Sequence, residues 1–148
     1  MVERHLYAYL LAASLVAAGV AAVALVFVAA PYGRHMRRGW GPALPPRLGW
    51  ALMEAPAALV FAACYLTGGD RSAASLAFLA LWQVHYVYRA FLYPLNLSSG
   101  ARPMALVVVL MGLSLNLGNA YLNGRWLFAF SPGYRAQWLL DLRFLLGA

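Results

Sequence analysis

The 148 residues are 64% hydrophobic and only 10% charged, a composition that excludes an ordinary water-soluble domain. Eleven basic residues, every one an arginine, stand against four acidic ones for a formal charge of +7; they are scattered between apolar runs rather than gathered into a patch, which excludes a nucleic-acid partner. The single cysteine, Cys64, excludes an internal disulfide framework and reads as a small buried hydrophobe.

Residues 6–30 contain no charge and no proline, and such a run crosses a hydrocarbon core of about 30 Å as one helix. A cleaved signal peptide would carry a shorter apolar region behind a basic start, whereas Glu3 here cancels Arg4. Residues 31–47 hold Arg34, Arg37, Arg38 and Arg47 with four prolines and no acid, so they are predicted to be an extended loop. Residues 48–67 predict a second span, with Glu54 and Pro56 inside it, and Gly68-Gly69-Asp70-Arg71 a short turn. A third span is predicted over 73–95, interrupted by Gln83, His85 and Arg89 and stopped by Pro94. After the linker 96–103 comes a fourth, 104–122, with Asn116 and Asn119 on its later turns and Asn123-Gly124 as its exit. Residues 136–148 begin a fifth helix that is too short here to cross.

The expected fold class is therefore all-α: a polytopic transmembrane helical bundle, four spans plus the start of a fifth, in one membrane domain over 1–148. Alternation of spans puts the loops 31–47 and 96–103, with five arginines, on one side. Arg4, Arg71, Arg125 and Arg135 fall on the other. The dense first loop predicts a cytoplasmic position for its side and an N-terminus outside.

A carboxylate at the centre of a membrane helix costs about 2.5–3.5 kcal/mol, so Glu54 demands a partner or a proton. Its bland alternative is a clasp between helices. Arg89, late in its helix, reads as a residue reaching the interface. Gln83, Tyr86 and Arg89 recur at intervals of three and form one polar stripe, with His85 about 100° from Tyr86. Only His5 and His35 accompany His85, so no metal site is expected. Asn116, Asn119 and Asn123 share a face and read either as a hydrogen-bonding strip or as glue between helices. Asp141 and Arg143, two apart, cannot share a helical face, so each is expected to pair elsewhere. No GxGxxG turn, Walker loop or nucleophile elbow occurs, so a bound dinucleotide would have to sit between helices.

The run from Pro42 through Leu44-Pro45-Pro46-Arg47, Trp50 and Glu54-Ala55-Pro56 resembles the loop-to-second-helix motif of the steroid 5α-reductase family. Val84-His85-Tyr86-Val87-Tyr88-Arg89 is similar to that family's histidine-tyrosine and arginine helix, and Gly118-Asn119-Ala120-Tyr121-Leu122-Asn123-Gly124 to its fourth-helix exit. Tyr32-Gly33-Arg34-His35 and Leu140-Asp141-Leu142-Arg143-Phe144 match further blocks in family order. The resemblance implies the N-terminal half of a fold of about seven membrane helices and a membrane enzyme that reduces the C=C bond of an enone lipid, most simply a 3-oxo-4-ene steroid, with NADPH. It implies that Glu54 and Tyr86 are catalytic and hydrogen-bond the substrate's ketone, with Trp50 and Met53 beside them in the substrate site. Met53 stands where the family often has glutamine. Arg34, Arg89, Arg102, Asn119 and Asp141 are the implied cofactor contacts, and much of the NADPH site belongs to the later helices, so the fragment alone is expected to lack turnover.

Negative charge gathers on a carbonyl oxygen when an enone is reduced, and donors already aimed at that oxygen in a dry cavity lower the barrier. Tyr86 supplies one donor. Glu54 either supplies the second, as the neutral acid, or orients Tyr86 as the carboxylate. A competing class is a small transporter or channel subunit with Glu54 as its proton or cation site, and an enoyl-thioester or polyprenol reductase is a nearer alternative.

Overall fold

The computed structural model describes residues 2–28, 40–98 and 100–147. Helix α1, Val2–Phe27, carries Glu3, Arg4 and His5 in its first turn, has no charged residue after them, and buries no residue. Strand β1, Ala43–Leu44, leads into α2, Pro46–Thr67. A turn at Gly68–Ser72 opens α3, Ala73–Val87, which runs without a break into a π-helical turn, Tyr88–Leu92, and the short α4, Tyr93–Leu95. Strand β2, Met104–Ala105, precedes α5, Leu106–Arg125, which continues as a second π turn, Trp126–Phe130. The chain closes with a 3₁₀ turn, Ala136–Leu140, and α6, Leu142–Gly147.

Three of these helical runs are long and apolar enough to cross a membrane: Val2–Phe27, Pro46–Thr67 and Leu106–Phe130. The α-helical part of the run after the turn, at 15 residues, falls short by itself and gains its length from the π turn and α4. The architecture is thus an all-helical membrane bundle. Many large apolar side chains, among them Leu15, Val26, Leu59, Leu66, Val84 and Leu146, are exposed and suit a lipid solvent.

In lipid there is little hydrophobic drive to join one helix to another, so association rests on close packing and hydrogen bonds. The sequence supplies small residues where α2 meets α5, the most extensive contact in the bundle. Ala57, Cys64 and Ala120 are buried there around Phe61 and Phe128. A Cβ added at Gly124 would lie 2.7 Å from Cβ of Cys64. Gly124 is therefore a packing glycine within α5, and the expectation that Asn123-Gly124 ends the helix is overturned: the helix passes through it to Phe130. Gly68 has a similar constraint at the other end of α2, where Gly69 N–H donates to the Phe128 carbonyl at 2.9 Å and a Cβ on Gly68 would meet that same oxygen at 2.5 Å.

Aromatic rings fill the centre. Phe61, fully buried, stacks on Trp82 at 4.1 Å and takes the edge of Phe128 at 5.1 Å. Trp82 Nε1 donates to Ala57 O and Gln83 Nε2 to Ala58 O, so α3 is tied to α2 through two carbonyls. Ser72 caps α3 by accepting from Ser75 N–H, and Asp70 accepts from Ser72 N–H and Ser75 Oγ. Trp138 and Phe144 close on Phe78 of α3 and hold the last two turns of chain against it.

At the linker end, β1 and β2 pair antiparallel, Ala43 opposite Ala105 and Leu44 opposite Met104, and Arg47 Nη2 donates to Leu97 O. The two linkers thus meet at one end of the bundle. At the opposite end Glu3 receives Arg125 at 2.7 and 2.8 Å, Tyr7 donates to Leu122 O, and Arg4 lies over Phe130.

One pairing differs from expectation. Asp141 and Arg143 bind each other, through Nε at 2.9 Å and Nη2 at 2.8 Å. Asp141 is not in a helix but in extended backbone ahead of α6, where its side chain also accepts from Arg143 N–H as a cap. The rule against pairing residues two apart applies only inside a helix.

Candidate active site

Proline at position 56 has no N–H to give the carbonyl four residues back, so the turn of α2 that carries Met53 and Glu54 is loosened in its own ladder. Glu54 points from that turn into the bundle and is 3% exposed. Arg89 reaches it from the π turn. Its Nη2 donates to Glu54 Oε1 at 2.6 Å and its Nε to the same oxygen at 3.1 Å. The wide turn shifts every following side chain from its ordinary α-helical direction, a device common at functional sites. Arg89 also lies 4.9 Å over the Trp50 ring, which in turn meets the edge of Tyr93.

The other oxygen, Oε2, accepts from Asn116 Nδ2 of α5 at 3.2 Å, and the same amide nitrogen donates to Met53 O at 2.8 Å. Asn116 Oδ1 accepts from the Tyr86 hydroxyl at 3.4 Å. Tyr86 is held from behind by stacking on Trp82 at 4.8 Å. One hydrogen-bonded series, Arg89 to Glu54 to Asn116 to Tyr86, therefore joins α2, the α3 run and α5 within the bundle. Tyr86 also lines a cavity of about 550 Å³ with His85, Trp82, Asn123, Trp138 and Arg143, a volume suited to a small-molecule ligand.

Of the residues singled out in the sequence, Trp50, Glu54, Tyr86 and Arg89 come together. Arg89 is not free at the interface as its late position in the helix suggests; it neutralises Glu54. Met53 is adjacent by backbone only, its side chain turned to Gly112 and into a separate apolar hollow of about 400 Å³ lined also by Trp40, Val108 and Met111. Asn119 is engaged with Asn123, whose Nδ2 donates to it at 2.8 Å. Asp141 is engaged by Arg143, and Arg102 is exposed on the linker. These three and Arg89 stand in different parts of the bundle and do not converge on one dinucleotide seat. Arg34 lies outside the described residues.

Asn116 is the member that sequence reasoning missed. Its spacing to Asn119 groups the two on one face, and both border the hollow toward α1, but Asn116 alone reaches α2, at Met53 O and Glu54, while Asn119 receives Asn123. The available signal was the combination of a neutral amide at mid-span with a buried carboxylate on a neighbouring span.

No family model matches the chain. Curated relatives do. The chain is 35% identical over 129 residues to Steroid 5-alpha-reductase DET2 of Gossypium hirsutum, a match covering 84% of this chain and 50% of that protein. It is 28% identical over 151 residues to Steroid 5-alpha-reductase DET2 of Arabidopsis thaliana, covering 98% and 58%. With 3-oxo-5-alpha-steroid 4-dehydrogenase 2 of Sus scrofa it shares 35% over 143 residues, covering 93% and 55%. The chain spans about half the length of the curated relatives it matches.

Proposed function

We propose, from the premise that this chain is homologous to steroid 5α-reductases over about half of their length, that it is the N-terminal part of a membrane reductase of enone lipids. The substrate class is a 3-oxo-4-ene steroid, and the bond reduced is the C=C conjugated to the ketone. The observation that carries this is the series Glu54, Asn116, Tyr86 beside a cavity that Tyr86 lines. As the enone takes up electrons, charge accumulates on its carbonyl oxygen, and a phenol held in an apolar site donates to that oxygen more effectively there than in water. Tyr86 and Glu54 are the catalytic pair, the phenol as donor and the acid behind it, with Trp50 packed on the Arg89 that meets Glu54. The reductant is NADPH, which supplies a hydride when bound. Its seat requires more than the four described candidates of this chain, because they stand apart. The remainder of the family's length completes it, and the linker side carrying Arg102 is placed in the cytoplasm with the N-terminus outside.

A cation-binding transporter is the weaker assignment, because the Glu54 carboxylate is already met by a guanidinium. The test is kinetic. In the complete protein that contains this chain, Glu54→Gln and Tyr86→Phe are each expected to lower enone-dependent NADPH oxidation by at least about tenfold. Wild-type rates in both variants would remove the pair from the chemistry.

A further inference from the structure

We propose that Asn116 is a positioning residue that lets an ionised Glu54 act on the substrate only through the Tyr86 hydroxyl; this rests on the enone-reductase assignment above. Three donor contacts converge on the Glu54 oxygens, two from Arg89 on Oε1 and one from Asn116 on Oε2. Two of the three come from a guanidinium set on one oxygen at 2.6 and 3.1 Å, the geometry of a charge-assisted pair, and the form of the acid that pairs with a guanidinium is the carboxylate. The amide of Asn116 has one possible orientation. Its nitrogen is fixed by two acceptors, Met53 O and Glu54 Oε2, which presents the oxygen to Tyr86.

Two consequences follow for the phenol. Its hydrogen is held by Asn116 when no ketone is present, and held weakly: 3.4 Å is long against the usual ~2.7–2.8 Å for O–H···O. An arriving ketone oxygen at ordinary distance takes that hydrogen from the amide with little opposition. The neutral amide also separates the carboxylate from the oxygen on which negative charge will form, so Glu54 braces the donor without opposing the charge, which Arg89 further offsets. No bond is made or broken in this step; the hydrogen bond changes acceptor from Asn116 Oδ1 to the ketone.

The experiment uses the complete protein containing this chain, in lipid nanodiscs, with a 3-oxo-4-ene steroid ¹³C-labelled at the ketone. Turnover and the infrared carbonyl band of the bound steroid are both read. Asn116→Leu, close in volume, is expected to lower kcat by about tenfold or more with KM within about threefold. The carbonyl band is expected to return toward its position in apolar solvent, and Asn116→Gln, which keeps both ends of the amide, to recover both readouts in part. A parallel change in kcat and KM with the carbonyl band unmoved would mean helix packing alone and would overturn the proposal. So would Asn116→Leu at wild-type kcat and band while Tyr86→Phe is impaired. Tyr86→Phe at wild-type kcat and band would instead sink the underlying assignment. Should Asn116→Leu fail to fold, Asn116→Gln and Asn116→Asp are read by the same band, and an unmoved band in both counts against the proposal.

Discussion

Arg89 and Glu54 are an ion pair in which one partner is almost wholly buried and the other partly open, with side-chain exposures of 4% and 39%. Removing one member of such a pair strands the other charge, whereas replacing both with apolar groups removes the desolvation penalty along with the attraction. Arg89→Leu is therefore expected to destabilise the bundle by about 3–5 kcal/mol, and Glu54→Leu combined with Arg89→Leu to recover most of that loss. Reversible unfolding in mixed micelles, arranged as a double-mutant cycle, measures the difference; additive losses would show that the two charges do not depend on each other. Glu54 was legible in the sequence because a carboxylate in an apolar span is too costly to stand without a partner or a proton. Arg89 as its partner was not. The 3.6-residue period places Arg89 on a stripe with Tyr86 and Gln83, and all three do turn toward α2 and α5; what hid the pairing was the late position of Arg89 in its run, which reads as a side chain reaching the interface.

Helix limits divide in the same way. Apolar length locates α1, α2 and α5 because lipid demands it, but the stop signals were borrowed from water-soluble proteins and misled at Asn123-Gly124. In a bundle whose helices must approach closely, glycine more often relieves a clash than ends a helix. Two glycines of α5 separate these roles. Gly124 faces Cys64 with no room for a methyl group, whereas Gly118 meets nothing within 4 Å. Gly124→Ala is expected to destabilise by about 1–3 kcal/mol through overpacking. Gly118→Ala is expected to be neutral or to stabilise by up to about 1 kcal/mol through helix propensity. Thermal unfolding of the two variants in one detergent checks the pair, and equal shifts would contradict the close α2–α5 contact. The Asp141–Arg143 clasp is likewise hidden, because Asp141 lies in extended backbone ahead of its helix, where helical spacing does not govern which side chains meet.

At the scale of the whole chain, α1 stands apart from the other helices. None of its residues is buried, and its specific polar contacts cluster at its start, on Arg125, Tyr121, Leu122 and Phe130. Beyond that point hollows of about 520 and 510 Å³ lie between α1 and α5. Partly exposed ion pairs contribute about 0–1 kcal/mol, so Arg125→Leu is expected to leave the α2–α5 core within about 1 kcal/mol of wild type. The same change should broaden the distance between spin labels placed at Ser14 and Leu115. A narrow, unchanged distribution would show that something other than the Glu3 clasp fixes α1.

The partners of Glu54 lie 35 and 62 residues further along the chain. Synthesis runs from the N-terminus, so α2 reaches the bilayer before the helical segments that carry Arg89 and Asn116 join it there. The acid is therefore met in two stages, by a guanidinium when the helical run after the turn joins α2 and by an amide when α5 follows.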